Sequence, residues 1–208
     1  MARRLLALAA AAFALGACDR LSSQATPEAD YRPEEAGTVD HALCLLGFRG
    51  VPLRELMTGH HLVEAELNGR KGVFILDTGA NASVLHAPHA ARFGVGEGLT
   101  APAAAVGLGG AMKARQARLE TLSIGGIAIR QSRIMTADLA QIEQMLGRIS
   151  GETLSGIIGQ DVMKEHRAVI DVDGPILYLM EQDRDPAPVP AERCRRADEP
   201  GAKGKKKA

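Results

Sequence analysis

The segment Phe74–Leu85 reads FILDTGANASVL and decides the fold. It opens on an apolar run that is typical of a short buried strand. Asp77 comes at the end of this run, where an unpaired carboxylate would be costly, and Thr78 and Gly79 favour a tight turn with donors beside that carboxylate. Because a bare Asp-Thr-Gly is most often only a turn, the strand in front of it makes Asp77 a candidate functional acid.

Hairpin patterns extend outward from this segment. The alternation in residues 62–67, followed by Asn68-Gly69 and the apolar residues 73–76, predicts a hairpin that delivers Asp77. Three more strand pairs are expected to be residues 101–106 with 114–119, 119–124 with 127–134, and 169–172 with 176–180. A helix is predicted from its cap at Asp138 to a stop at Gly147, and a second at residues 162–166 with Asp161 as its cap. The pattern predicts an all-β domain with one or two short helices.

Two motifs carry a family resemblance. Asp77-Thr78-Gly79-Ala80 resembles the active-site turn of the retropepsin-like aspartic proteases, and Ile157-Ile158-Gly159 within residues 156–161 resembles their second signature. The order of elements from residue 59 to residue 180 is also similar to that family, and to its bacterial, exported, single-domain members in particular. The resemblance implies a closed acid-protease barrel that works as a homodimer and cleaves peptide or protein substrates.

One Asp-Thr-Gly is half of such a site. Two carboxylates that share a proton allow one to activate water while the other protonates the substrate carbonyl. Since the chain has no second Asp-Thr-Gly or Asp-Ser-Gly, the second carboxylate must come from Asp77 of another copy. By resemblance, Thr78 bonds across the dimer interface, Gly79 lets substrate approach and Ala80 lines the site. Viral dimers are held largely by interleaved terminal strands, and the block at residues 39–57 has no counterpart there.

A glycine-rich tip is the second functional element. It lies where the family has a mobile flap over bound peptide, and an ordinary surface hairpin is the alternative. The tip consists of Val106, Gly107, Leu108, Gly109 and Gly110. It lacks the third glycine of a dinucleotide-binding loop.

The N-terminus has the pattern of an export signal. Arg3 and Arg4 precede a short apolar run, and residues 15–18, Leu-Gly-Ala-Cys, resemble a bacterial lipoprotein box in which Cys18 is lipidated. Ordinary cleavage near residues 12–14 is the alternative. We expect a lipoprotein signal at residues 1–17, a flexible stalk at 18–38, the domain with its N-terminal extension at 39–182 and a disordered basic tail at 183–208. The protein should lie in the bacterial cell envelope, on the periplasmic side, held to a membrane through Cys18.

Cys44 and Cys194 form an even pair on either side of the domain in an oxidising compartment. A disulfide between them is one interpretation. A buried thiol at Cys44 and a free or intermolecular Cys194 is the other.

Composition narrows the function classes. The 208 residues are 46% hydrophobic, carry no formal net charge and include only 3% aromatic residues, which argues against nucleic acid as a partner. His60-His61 and His86 with His89 have no clustered Cys or acidic neighbours in sequence, so no metal and no cofactor is predicted. The sequence favours an aspartic endopeptidase. The alternatives are a non-catalytic peptide-binding or assembly module of the same fold and a structural envelope lipoprotein.

Overall fold

Strands dominate the architecture. The computed structural model describes residues 29–96, 103–107, 110–181 and 185–195. The strands are β1 Phe48–Pro52, β2 Arg54–Glu55, β3 His61–Leu67, β4 Arg70–Leu76, β5 Val84–His86, β6 Ala103–Gly107, β7 Gly110–Arg118, β8 Leu122–Ile124, β9 Ile127–Ile129, β10 Arg133–Ala137, β11 Leu154–Ile158, β12 Val169–Asp171 and β13 Ile176–Met180. The helices are α1 Val39–Leu45, α2 Ala140–Ser150 and α3 Gln160–Glu165, with 3-10 helices at Ala87–Phe93 and Ala191–Cys194. The prediction of a mostly β fold with short helices is confirmed.

The larger sheet is open. Its strands follow the order β6-β7-β10-β5-β11-β4-β3-β8-β9, with β2 paired to β3. Closure into a barrel needs a hydrogen-bonded ladder between the end strands. In the described part of the chain, β6 pairs only with β7 and β9 only with β8. The sheet is therefore not closed into the barrel that the sequence analysis expected.

The hairpin that precedes the Asp-Thr-Gly turn forms as predicted. β3 and β4 pair antiparallel from Leu67 with Arg70 to His61 with Leu76. Asn68 and Gly69 connect them with φ values of 48° and 76°. This left-handed turn suits asparagine followed by glycine and matches the twist of the strands. The hairpin fixes the register that brings Asp77 to the end of β4.

Two predicted boundaries are wrong. The strand expected at residues 127–134 breaks into β9 and β10, because the chain turns at Gln131, whose N–H donates to Ile129. The helix expected to stop at Gly147 continues to Ser150 and ends at Gly151, which has a φ of 70°. Glycine is tolerated inside a helix at a modest cost, and a left-handed glycine is a stronger stop.

A smaller sheet joins the two ends of the described chain. It has the order β1-β13-β12, and every residue of β13 is buried. The ring of Tyr31 lies over Gly50 of β1, so that a Cβ at Gly50 would fall 2.3 Å from it. From the other terminus, the Val189 N–H donates to the Leu45 carbonyl at 2.8 Å.

The predicted domain division stays a prediction, with two observations added. Residues 29–38 of the expected stalk and residues 185–195 of the expected tail contact this smaller sheet and α1. The signal at 1–17 and most of both expected flexible segments lie outside the described residues. Within the described ranges, no helix is long and apolar enough to span a bilayer.

Candidate active site

Asp77 begins the candidate site at the point where two strands end side by side. β4 pairs in parallel with β11, with Leu76 opposite Ile158. The Asp77 N–H continues this ladder and donates to the Ile158 carbonyl at 3.0 Å. The two motifs, 80 residues apart, therefore meet at one place in the sheet.

The turn after β4 presents its carboxylate outward. Asp77 is half-buried, while Thr78 and Gly79 are exposed. One carboxylate oxygen of Asp77 accepts from the Gly79 N–H at 2.8 Å, and the Asp77 carbonyl accepts from the Ala80 N–H at 3.2 Å. The predicted donors beside Asp77 are thus present, but the residue is less buried in one copy than the sequence analysis expected.

The second motif holds this turn from behind. All five residues of β11 are buried. The Gln160 N–H donates to the Ala80 carbonyl at 2.8 Å, and its side-chain amide donates to the Thr78 carbonyl at 2.5 Å. A Cβ at Gly159 would lie 2.7 Å from the backbone of Ala82, so glycine allows this close approach. The first turn of α3 and the Asp-Thr-Gly turn form one bonded unit.

Asp161 has a role that the sequence analysis did not assign. We expected it to cap the second helix, but the cap is Gly159 and α3 begins one residue before Asp161. The Asp161 carboxylate accepts from the Ser83 N–H at 2.9 Å, from the Ser83 hydroxyl at 2.7 Å and from the Gln131 amide at 2.8 Å. It also accepts from the N–H of Val162, so it satisfies the helix start as well. Asp161 therefore positions the chain that leaves the Asp-Thr-Gly turn.

The predicted flap falls partly outside the described residues. β6 and β7 form a hairpin in which Val106 pairs with Ala111 and Gly107 with Gly110. Leu108 and Gly109 are among the residues that the structure does not describe. The hairpin is present where the sequence predicted one, and its action as a flap stays a prediction.

Of the histidines considered as metal ligands, His61 pairs with Leu76 beside the Asp77 turn, whereas His86 and His89 contact each other. His86 is buried and its Nδ1 accepts from the Leu139 N–H at 3.0 Å. Its ring lies edge-on to His89, 4.8 Å between centroids. Burial and the neighbouring His86 lower the pKa of His89. Within the described ranges, no cluster of three or more His, Cys, Asp or Glu residues could hold a metal ion.

The structure pairs Cys44 with Cys194 in a disulfide across 150 residues of sequence. It fastens the 3-10 helix Ala191–Cys194 to α1, far along the chain from Asp77. Cys18 lies outside the described residues, and its lipidation stays a prediction.

The Asp-Thr-Gly turn and the second motif both lie in a segment that matches a known protein family. Residues 63–162 match the family model described as aspartyl protease, a segment that contains both motifs. The match spans 100 of the 208 residues and shows that this part of the chain is similar to aspartyl proteases. Among solved structures, a retropepsin-like aspartic protease from Rickettsia conorii is 19% identical, covering 64% of this chain and 90% of that one with a TM-score of 0.47. The EIAV protease complexed with the inhibitor HBY-793 is 23% identical, covering 50% and 84% with a TM-score of 0.38. No curated protein matches this chain.

Proposed function

We propose that this chain is an aspartic endopeptidase in which two copies each contribute Asp77 to one catalytic centre. The position of Asp77 carries the proposal: its carboxylate is fixed by the Gly79 N–H on an exposed turn that β11 and α3 brace from behind. With a second Asp77 alongside, one carboxylate would take a proton from water and the other would give a proton to the substrate carbonyl. The family match of residues 63–162 supports a protease of this class.

The strands β1 and β13, near the two ends of the described chain, limit how two copies could form a dimer. β1 and β13 pair with each other within one chain, and Tyr31 covers β1 at Gly50. An interleaved terminal sheet of the viral kind would therefore have to displace contacts that are already made. The turn between β2 and β3 offers another surface, because His61 pairs with Leu76 next to Asp77 and Met57 in that turn is 97% exposed. We infer that the copies meet through the Asp77 turn and the Met57 turn.

A mixing experiment tests this mechanism. The variant Asp77→Asn should fold but cleave no member of an unbiased peptide library. Added in excess to the unchanged chain, it should also suppress cleavage, because mixed dimers hold a single carboxylate. The matched control is Asp173→Asn, which alters an exposed acid in the β12–β13 turn and should neither lose activity nor inhibit. The proposal would be overturned if Asp77→Asn still cleaved peptides. It would also be overturned if an excess of Asp77→Asn left cleavage by the unchanged chain as it was.

A second candidate follows from the same terminal contacts. A chain whose β1 and β13 are satisfied within one copy could stay monomeric and hold peptide without cleaving it. A protein that sediments as a monomer at every concentration, binds peptides from the library and leaves all of them intact would favour this binding module.

We also propose that the protein is exported and anchored in the bacterial envelope through Cys18. The sequence box Leu-Gly-Ala-Cys at residues 15–18 supports this placement. Metabolic labelling with a fatty acid should mark the unchanged chain and leave Cys18→Ser unmarked. Label on both chains, or on neither, would contradict it.

A further inference from the structure

A cavity of about 350 Å³ opens beside the disulfide, away from the catalytic turn in sequence and in the fold. Residues from the N-terminal segment, α1, β1 and the C-terminal segment line it. Tyr31, Cys44 and Phe48 contribute to its wall, and none of its lining residues belongs to the Asp77 turn or to β11. Its volume is within the range of small-ligand sites.

In the described part of the chain, the charged groups that line the cavity are arginines. They are Arg49, Arg193 and Arg195, and together they are called the arginine face below. Glu181 braces two of them: it accepts from Arg49 at 3.0 Å and from Arg193. Burial opposes ionisation of Glu181, but the hydrogen bonds from both arginines outweigh it and lower its pKa. Glu181 is thus shared by Arg49 and Arg193, and the side chains that line the cavity in the described part of the chain carry positive charge only.

Arg195 is exposed, and among the described residues no carboxylate forms an ion pair with it. Guanidinium groups bind phosphate with two parallel hydrogen bonds, which makes arginine suited to this ligand. Among the described residues, the arginine face therefore combines Arg195, which has no ion-pair partner there, with two guanidinium groups held by Glu181, around a cavity large enough to admit a phosphate group.

Both ends of the described chain reach this cavity. Tyr31 lies two residues from the first described residue, and Arg195 is the last one. The sequence before residue 29 leads back to Cys18, and the sequence after Arg195 is rich in lysine and arginine. Leu46, next to Gly47 of the cavity wall, is 40% exposed. Exposed apolar side chains beside basic ones are typical of a surface that rests on a membrane interface.

We propose that the arginine face docks on a membrane surface rich in anionic phospholipid, with a lipid phosphate in the cavity. Three observations support a membrane as the occupant. They are the positive charge of the arginine face, the exposed Leu46 and the position of both ends of the described chain beside the cavity. Docking is independent of catalysis by Asp77 and needs no acyl group on Cys18. It would fix which side of the domain faces the bilayer.

Vesicle co-sedimentation tests the proposal with the full chain in its oxidised, unlipidated form. Vesicles are of phosphatidylcholine alone or of an equimolar mixture with phosphatidylglycerol, so that the apolar residues 5–15 act equally on both. We expect preference for the mixture, and a loss of roughly fivefold in that preference for Arg195→Gln and again for Arg49→Gln. Arg195→Lys keeps the charge and should retain most of the preference.

The matched control is Arg118→Gln, an exposed arginine on β7, which should bind as the unchanged chain does. Equal losses in Arg118→Gln and Arg195→Gln would reduce the effect to net charge and overturn the proposal. If both Arg49→Gln and Arg195→Gln keep the full preference for anionic vesicles, that preference comes from the basic tail, and the proposal is overturned. A last experiment measures the binding of inorganic phosphate. If the chain binds phosphate at the cavity but shows no preference for anionic vesicles, the cavity is a site for free phosphate and the proposed docking face is wrong.

Discussion

Ser83 and Asp161, 78 residues apart, are joined by both the main-chain N–H and the hydroxyl of the serine, at 2.9 and 2.7 Å from the carboxylate. The same hydroxyl oxygen accepts from the Gly159 N–H at 3.0 Å. Ser83 is fully buried, so its N–H and hydroxyl depend on these protein partners. They tie the chain that leaves the Asp77 turn to the start of α3, and the geometry of the turn depends on them.

Removal of the Asp161 carboxylate should loosen the Asp-Thr-Gly turn. Asp161→Ala leaves the buried N–H and hydroxyl of Ser83 without their acceptor, and we expect a loss of about 3 kcal/mol in the free energy of unfolding. Asp161→Asn keeps one acceptor oxygen and should lose about half as much. Urea denaturation measures both. Peptide cleavage at temperatures where the variants remain folded should fall about tenfold, since the turn is less well positioned.

Asp173→Asn serves again as the control, with an expected change within about 0.5 kcal/mol. If Asp161→Ala unfolds at the same urea concentration as Asp173→Asn, the bonds to Ser83 contribute no net stability and this interpretation of the site is wrong.

Gly156 should tolerate no side chain. A Cβ there would lie 2.1 Å from the Val84 carbonyl, a backbone atom that cannot swing aside. We expect Gly156→Ala to lower the free energy of unfolding by about 3 kcal/mol or to prevent folding, because β5 and β11 must separate. Gly96→Ala is the matched variant, since a Cβ at Gly96 meets nothing within 4 Å and should be nearly neutral. Thermal unfolding compares the two, and a Gly156→Ala chain as stable as Gly96→Ala would refute the close approach.

Much of the fold could be predicted from sequence wherever local chemistry decides it. Asn68-Gly69 allows one turn geometry, and the apolar run before Asp77 can only be a buried strand once that hairpin forms. The helix at residues 140–150 was predicted from its spacing, although its end was not. At Gly147 and Gly151 the same residue type occurs inside the helix and at its end, and only the backbone angle separates them.

Long-range pairings could not be predicted in this way. The parallel contact of β4 with β11 joins residues about 80 positions apart, and no local pattern indicates it. Asp161 shows the same limit. An aspartate at the start of a helix favours a capping role in any sequence, and nothing local reveals that Ser83 arrives beside it. The covering of β1 by Tyr31 was likewise hidden, because residues 29–38 have the polar composition of a stalk.

The contact between Arg54 and Glu152 should give stability a dependence on pH. The Arg54 guanidinium donates to both carboxylate oxygens of Glu152, at 2.7 Å for one of them, and this hydrogen bonding lowers the pKa of Glu152 against the effect of burial. A lowered folded-state pKa adds stability above the ordinary value near 4.5, and that stability is lost as pH falls through the folded value. Since both side chains are about a third exposed, the contribution is about 0.5 to 1 kcal/mol.

Glu152→Gln isolates this contribution. Urea midpoints should be lower for the variant than for the unchanged chain at neutral pH, and the two should converge as pH drops below 4.5. A gap that stays constant from neutral to acid pH would mean that the charge of Glu152 is not its source.

The disulfide should contribute more stability than the contact between Arg54 and Glu152. Cys44 and Cys194 close a loop of 150 residues, and a bond that restricts so long a loop stabilises by about 2 to 5 kcal/mol through the unfolded chain. The double variant Cys44→Ser, Cys194→Ser should show a correspondingly lower urea midpoint, and reductant should bring the unchanged chain to the same midpoint. Reductant added to the double variant is the control and should have no effect. Because Arg193 and Arg195 flank Cys194, the same reduction should also weaken the preference for anionic vesicles, whereas cleavage by the Asp77 turn should persist while the domain stays folded. A reduced chain with an unchanged midpoint would show that the contacts of α1 with the C-terminal segment hold without the bond.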